Sequence, residues 1–279
     1  MAITTRDQLI DAMCNNSSRI IIDKASLSNA VAGQFESLWR ATGQPGQGAI
    51  PGAAAVCNNT LLGCLGFTQQ VDPAKSYLAI LEGVCSNSSS TLEIHDRLMH
   101  MGGLVGNVAT AQTVNLDVYA DLANENLTER VGADDLSDVS WWLEWYTDTG
   151  STAVTATVAV TYMDDTTGNL TAISLAATRR AAMMIPLNGL VPSASSGKII
   201  KKVNTVTLSA TTGTAGSFGV TATRYRAALY KPIANARFTA DWASLGIPSI
   251  PNKSCLMCVQ IAGTTSTGTV RATGKIIHG

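Results

Sequence analysis

Charge is scarce in this sequence: Asp, Glu, Lys and Arg make up 14% of its 279 residues, where soluble domains usually carry about a quarter. Such a chain can bury a sizeable core but has little charge left to keep every face wetted, which points to surface covered by partners. The charge present is balanced, 19 basic residues against 20 acidic for a net of −1. There is no basic excess or stripe of the kind that meets nucleic acid or a membrane surface, so neither is expected as a partner. The densest basic cluster, Lys198 to Lys202, is interrupted by Ile199 and Ile200 and reads as a strand with a solvated lysine face. No apolar run approaches the roughly 18 residues a helix needs to span a bilayer. A secretion leader is not expected either, because Asp7 follows Arg6 where an apolar stretch should begin. The expectation is synthesis and folding in a reducing host cytoplasm, with the Asn-x-Ser/Thr triplets at Asn87 and Asn169 as chance matches.

The residues that do chemistry are equally sparse. The three histidines are His95, His100 and His278. His95 and Asp96 are adjacent, and successive side chains of a strand point to opposite faces, so they cannot form an acid–base pair there. His278, next to the last residue, is expected to be solvated. The Gly43–Gly52 stretch lacks the Gly-Lys-Ser/Thr ending of a phosphate loop, and no G-x-S-x-G elbow occurs. Asp134-Asp135 and Asp164-Asp165 lie in turns beside Gly or Ser, where Asp bonds local backbone; neither supplies the alternating oxygen ligands of a calcium loop. Six cysteines are present, and Cys255 and Cys258 have zinc-knuckle spacing, but no second pair or His-x₃-His partner accompanies them. Most read as small core residues. Cys14 lies outside the strand-rich region and is the candidate for an intersubunit disulfide formed once the reducing compartment is left behind. No enzyme activity, metal or cofactor is expected.

Strand patterning is what the chain has in abundance. Residues 4–14 suit a short amphipathic helix capped by Thr5, and a first strand follows around Arg19–Ile22. From Gly33 to Gly52 a Gly/Pro-rich stretch surrounds Trp39 and Ile50; it reads as an extended arm docked on its own domain or on a neighbour. A small apolar segment, Ala53 to Phe67, comes next. Tyr77–Cys85 and Leu92–Leu98, joined by a Ser/Asn turn, read as a hairpin. Val139–Thr147 holds Trp141 and Trp145 on one face and Trp142 and Tyr146 on the other, suggesting core packing on one side and a subunit contact, or a sugar platform, on the second. Val154, Ala156, Val158, Val160 and Tyr162 alternate with polar or small residues, the clearest period-2 signal in the chain. A turn at 164–168 leads to a return strand, Leu170–Ala176. Strands at Val203–Ala210, Phe218–Leu229, Leu256–Gly263 and Val270–Ile277 continue the series, with a short helix near Ala240–Leu245. The fold class is therefore all-β, a mainly antiparallel β-sandwich, with residues 1–75 as N-terminal helix and docking arm and 76–279 as the sandwich. Candidate partner contacts are Phe35, Trp39, Arg40 and Ile50 on the arm and Trp142 and Tyr146 on the aromatic strand.

Several stretches resemble structural proteins of tailed bacteriophages: SLWRATGQPGQGAIPGAAAVC, HDRLMHMGGLVGNVATAQTVN, WWLEWYTDTGSTAVTATVAVTY, VNTVTLSATTGTAGSFGVTATR and CLMCVQIAGTTSTGTVRATGKI. The resemblance runs across most of the chain and rests on turn and strand textures. It implies a virion protein with a jelly-roll-like sandwich and no catalytic residues to carry over. Its first station is capsid decoration or cement, bound to the major capsid protein, other virion subunits and copies of itself as a homo-oligomer. Its second is a tail, adaptor or spike component with a glycan-binding sandwich. On this reading, removing residues 1–52 should leave a folded sandwich that no longer joins particles.

Overall fold

The computed structural model describes residues 3–28, 30–176 and 178–279. In chain order, helix α1 (Arg6–Asn15) precedes strands β1 (Ser17–Lys24), β2 (Phe35–Ser37), β3 (Gly43–Gln44), β4 (Ala55–Val56), β5 (Ser76–Cys85), β6 (Ser90–Leu104) and β7 (Gln112–Asp117). Helix α2 (Leu127–Arg130) is followed by β8 (Val139–Thr147), β9 (Val154–Tyr162), β10 (Thr167–Asn169), β11 (Ile173–Leu175), β12 (Met183–Pro186), β13 (Ile200–Leu208) and β14 (Ser217–Lys231). The last elements are β15 (Phe238–Ala240), helix α3 (Trp242–Leu245), β16 (Leu256–Ile261) and β17 (Val270–His278). Every strand pair with a defined register is antiparallel.

The division drawn from sequence texture, 1–75 against 76–279, is not the one that contacts make. One compact unit comprises residues 1–49, 58–96 and 225–279; the other comprises 50–57 and 97–224. The boundaries fall inside β6 and β14, each 15 residues long. Alternation along a strand tells which face is buried but not which sheet covers it, so the number of cores is invisible in the pattern.

In the first unit, a sheet of order β15-β5-β17-β1-β3 faces strands of a second sheet across one core. Ile20 and Ile22 of β1, Leu78 and Leu81 of β5 and Ile276 of β17 meet Ile94 of β6, Leu229 of β14 and Leu256 of β16 there. Gly274 makes room for this packing, since a Cβ on it would lie 2.7 Å from Ile20 Cδ1. Helix α1 starts where expected because Thr5 and Gln8 form a reciprocal capping box. Its Ala12, with Leu9 and Met13, packs on Ala79 of β5 and Ile277 of β17. The hairpin expected between β5 and β6 does not form. β5 pairs with β15 and β17, whereas β6 pairs with β16. The intervening turn instead bonds to other loops, Ser86 N–H to Thr269 O and Ser89 N–H to Pro232 O.

In the second unit, β10-β9-β13-β7, with β11 on β9, forms one sheet. It shares a core with β8, the first half of β14 and the second half of β6. The alternation of β9 is realised, with Val154, Ala156, Val158, Val160 and Tyr162 all buried. The return strand is split into β10 and β11, both antiparallel to β9. Trp141 and Trp145 face this core, and Trp145 stacks on Phe218 at 5.7 Å between ring centroids.

Candidate partner-contact site

The arm residues come to rest on their own chain. Leu38–Arg40 forms a 3₁₀ turn that begins at Ser37, whose hydroxyl accepts the Trp39 N–H at 3.2 Å. The Trp39 side chain is only 2% exposed. Its Nε1–H donates to Ala49 O at 2.9 Å, and Gly48 N–H returns to Trp39 O at 2.9 Å. Gly48 is needed at this point, because a Cβ there would fall 2.1 Å from the indole ring. Arg40 is half-buried and its Nη1 donates to Gly48 O. Trp39 is thus the pin that folds the arm, leaving Ile50 (37% exposed) and parts of Phe35 and Arg40 open to a neighbour. Residues 50–57 belong to the second unit, where β4 pairs with β6 and the fully buried Arg130 donates from Nη1 to Cys57 O at 2.6 Å.

Trp142 and Tyr146 lie on the face of β8 turned away from the Trp141 core, and they too are buried, at 5% and 3% exposure. Trp142 Nε1–H donates to Thr223 Oγ1 at 2.8 Å. The Tyr146 hydroxyl accepts from Arg97 Nη2 at 3.0 Å and donates to Glu144 Oε2 at 3.2 Å. Neither ring offers the open face on which a sugar would stack. Tyr146 belongs to a buried polar network that the sequence did not disclose. Arg97 Nη1 donates to Glu144 Oε1 at 3.2 Å, Arg97 Nε donates to His100 Nδ1 at 2.9 Å, and the Thr221 hydroxyl donates to Glu144 Oε2. Burial is the largest single influence on Arg97 and opposes its charge, but Glu144, Tyr146 and Cys57 together outweigh it, and the guanidinium is held more firmly protonated than usual. Burial and the charge of Glu144 likewise push the Tyr146 phenol up, so it stays a donor. The period-2 pattern could have flagged Arg97, Glu144 and Tyr146 as polar residues on otherwise apolar strands.

The first unit has its own buried ionic groups. Asp96 accepts from Arg226 Nη2 at 3.1 Å and from Cys255 N–H at 2.9 Å. His95, on the opposite face of β6, bonds through Nε2 to Glu93 Oε2 at 2.8 Å and meets Tyr225 edge-on. His278 is not solvated as its terminal position suggested. Its ring is buried, with Ser76 Oγ 2.9 Å from Nδ1 and Ser18 Oγ 3.0 Å from Nε2, and burial lowers its pKa. The reason is β17, which runs as a central strand almost to the chain's last residue. Lys24 donates to Ala41 O at 3.0 Å and Pro45 O at 2.7 Å. Burial lowers the pKa of Lys231 to about 8 and raises that of Cys258 to about 12. Of the six cysteines, Cys14 is the exposed one. Asp164 and Asp135 play the turn roles expected, accepting from Thr166 and Ser137 N–H. Among the described residues no group of three or more His, Cys, Asp or Glu side chains comes together for a metal, and no helix is long and apolar enough to cross a membrane.

Solvent-facing apolar side chains are concentrated on the first unit. Leu62, Val71, Tyr225, Tyr230, Ile233 and Trp242 are all exposed, Val71 at 85%. The outer face of the β15-β5-β17-β1-β3 sheet carries two adjoining hollows that share Glu82 and Thr273. The first, about 310 Å³, has a floor of Ile21, Val84 and Ala272 between the ion pairs Asp23–Arg271 and Glu82–Arg237.

No protein-family model matches this chain, and no curated protein does. Solved structures of virus particles do match. A structure of T=1 particles derived from infectious bursal virus aligns at 11% identity and a TM-score of 0.17, over 95% of this chain and 78% of that one. The VP2 subviral particle of infectious bursal disease virus aligns at 12% identity and a TM-score of 0.19, over 94% and 79%. The T13 particle of the same virus aligns at 11% identity and a TM-score of 0.18, over 94% and 76%. TM-scores this low do not describe a shared backbone.

Proposed function

We propose that this chain is a structural subunit of a virion, of the tailed-bacteriophage kind. We place it on the capsid as a decoration or cement protein that binds the major capsid protein and neighbouring copies of itself. The observation that carries the reading is how the chain uses its few charges. Arg97–Glu144 and Arg226–Asp96 are buried as internal struts, while among the described residues eleven large apolar side chains stand more than a third exposed. A body braced inside and poor in surface charge outside suits a subunit that is covered in its assembly. The five stretches that resemble phage structural proteins span both units and support a place in the virion. Ile50, Phe35 and Arg40 are the arm residues placed to touch a neighbour, and Cys14 is the thiol placed to cross-link one.

Copy number decides the station. Quantitative mass spectrometry of purified particles should find this chain in a ratio near one to the major capsid protein. A few copies to a few dozen per particle would instead assign it to the tail, an adaptor or a host-facing spike.

A further inference from the structure

In the first unit the end of β14, Tyr225–Lys231, forms a sheet edge. β14 pairs with β8 only over Ser217–Arg224, and β6 is its other partner. From Tyr225 onward β6 therefore lies on one side of the strand and, among the described residues, no strand lies on the other. An open edge presents a row of backbone donors and acceptors, and chains that stay single commonly guard it with exposed charge. This edge has no such guard. Its two basic residues, Arg226 and Lys231, are 5% and 0% exposed, so a strand laid beside them would take no further charge out of water. The side chains that stand out are aromatic. Tyr225 is 49% exposed and meets His95 of β6 edge-on, and Tyr230 is 59% exposed. Ala227 and Leu229 point into the core, which turns Ala228 between them to the outer side with the tyrosines. Along that side the edge reads Tyr, Ala, Tyr in both directions. An isologous contact requires such symmetry, because each residue must suit its counterpart when the strand is reversed.

We propose that a second copy of this chain adds to the sheet here, the two Tyr225–Lys231 edges running antiparallel about a two-fold axis near Ala228. The backbone groups of the two edges bond to each other, and Tyr230 of each copy comes beside Tyr225 of the other. On the reading given above that copies of this chain bind one another, this edge is where they meet.

Sedimentation velocity of the full-length chain, free of particles and across a micromolar concentration series, should show a monomer–dimer equilibrium. Ala228→Lys sets like charges against each other at the axis, and Tyr230→Lys adds one beside it. Both variants should lose the dimer while keeping the near-ultraviolet circular dichroism of the parent. If Ala228→Lys fails to fold, Tyr230→Lys decides. Val71→Lys, at an 85% exposed apolar position elsewhere, should leave the dimer intact. Amide hydrogen exchange in a peptide spanning Tyr225–Lys231 should slow on dimerisation. Four results overturn the proposal: a chain that stays monomeric, a dimer that survives Tyr230→Lys, one lost equally in Val71→Lys, or unchanged exchange at the edge. Protection of that peptide only within particles would also overturn it, assigning the edge to another virion subunit and leaving the virion reading in place.

Discussion

Arg97 Nη2 lies 2.7 Å from Glu144 Oε2, with both side chains withdrawn from water. The pair joins β6 to β8, which lie in one unit here but share no direct register. His100, Tyr146 and Thr221 take up the remaining donors and lone pairs around it. Such a pair is costly to break and cheap to replace, because its Coulombic gain roughly repays the desolvation of two charges. Glu144→Gln or Arg97→Met alone should therefore destabilise the chain by about 3–5 kcal/mol. The double replacement Arg97→Met with Glu144→Leu should recover most of that loss. Urea midpoints of the two single variants and the double variant measure the coupling. Additive losses would mean that the two residues do not act as a pair.

Trp39 makes a second prediction, because it closes the arm on its own chain. Gly48→Ala drives a methyl into the indole ring and should cost about 1–3 kcal/mol. Trp39→Ala empties the site and should cost about 3–5 kcal/mol. The same geometry corrects the expectation that residues 1–52 can be removed from an intact sandwich. β1 lies between β17 and β3 and contributes Ile20 and Ile22 to the core. Truncation should unfold the first unit, seen as loss of near-ultraviolet circular dichroism, so arm function is better tested with Ile50→Asp in particle-binding assays.

Stability should depend on pH through Glu36. This side chain is 1% exposed, and burial raises its pKa from 4.5 to about 7, against a smaller opposing pull from the Val31 N–H. A carboxyl raised on folding binds more protons in the folded state than in the unfolded one between those two values. Its contribution to stability is therefore lost as pH rises through that window. Glu36→Gln should flatten this slope and stabilise the protein at pH 8 by up to about 3 kcal/mol. Equal differences between the variant and the parent at pH 4 and pH 8 would show that Glu36 is not the group responsible.

Lys231 acts at the other end of the scale. Burial lowers its pKa from 10.5 to about 8, so the folded state binds fewer protons than the unfolded one above pH 8. Stability should rise from pH 8 towards 10.5 on this account, and Lys231→Met should remove the rise. The comparison is made by chemical denaturation of both proteins at pH 7.5 and pH 10.

Cys14 is the exposed thiol among the six cysteines. If neighbouring copies meet at α1, oxidised particles should show a dimer band on a non-reducing gel that disappears in Cys14→Ser. Monomer alone in oxidised particles would exclude that contact.

Local order was legible in the residues themselves. Thr5 announces the start of α1, and the alternation from Val154 to Tyr162 announces a half-buried strand; each depends on side chains within a few residues of one another. The all-β, antiparallel character follows from many such segments in series. What tertiary structure alone decided was which strand meets which. β5 and β6 are consecutive yet join different sheets, and His278 is buried because β17 is central. Trp142 and Tyr146 could have faced a partner as easily as the interior where they are buried, since a strand's second face is polar or apolar according to what lies over it. Arg97 and Glu144 are 47 residues apart, and nothing in either neighbourhood names the other. Pairing of that kind is settled by long-range packing, where the cost of burying one charge selects the place of its counterion.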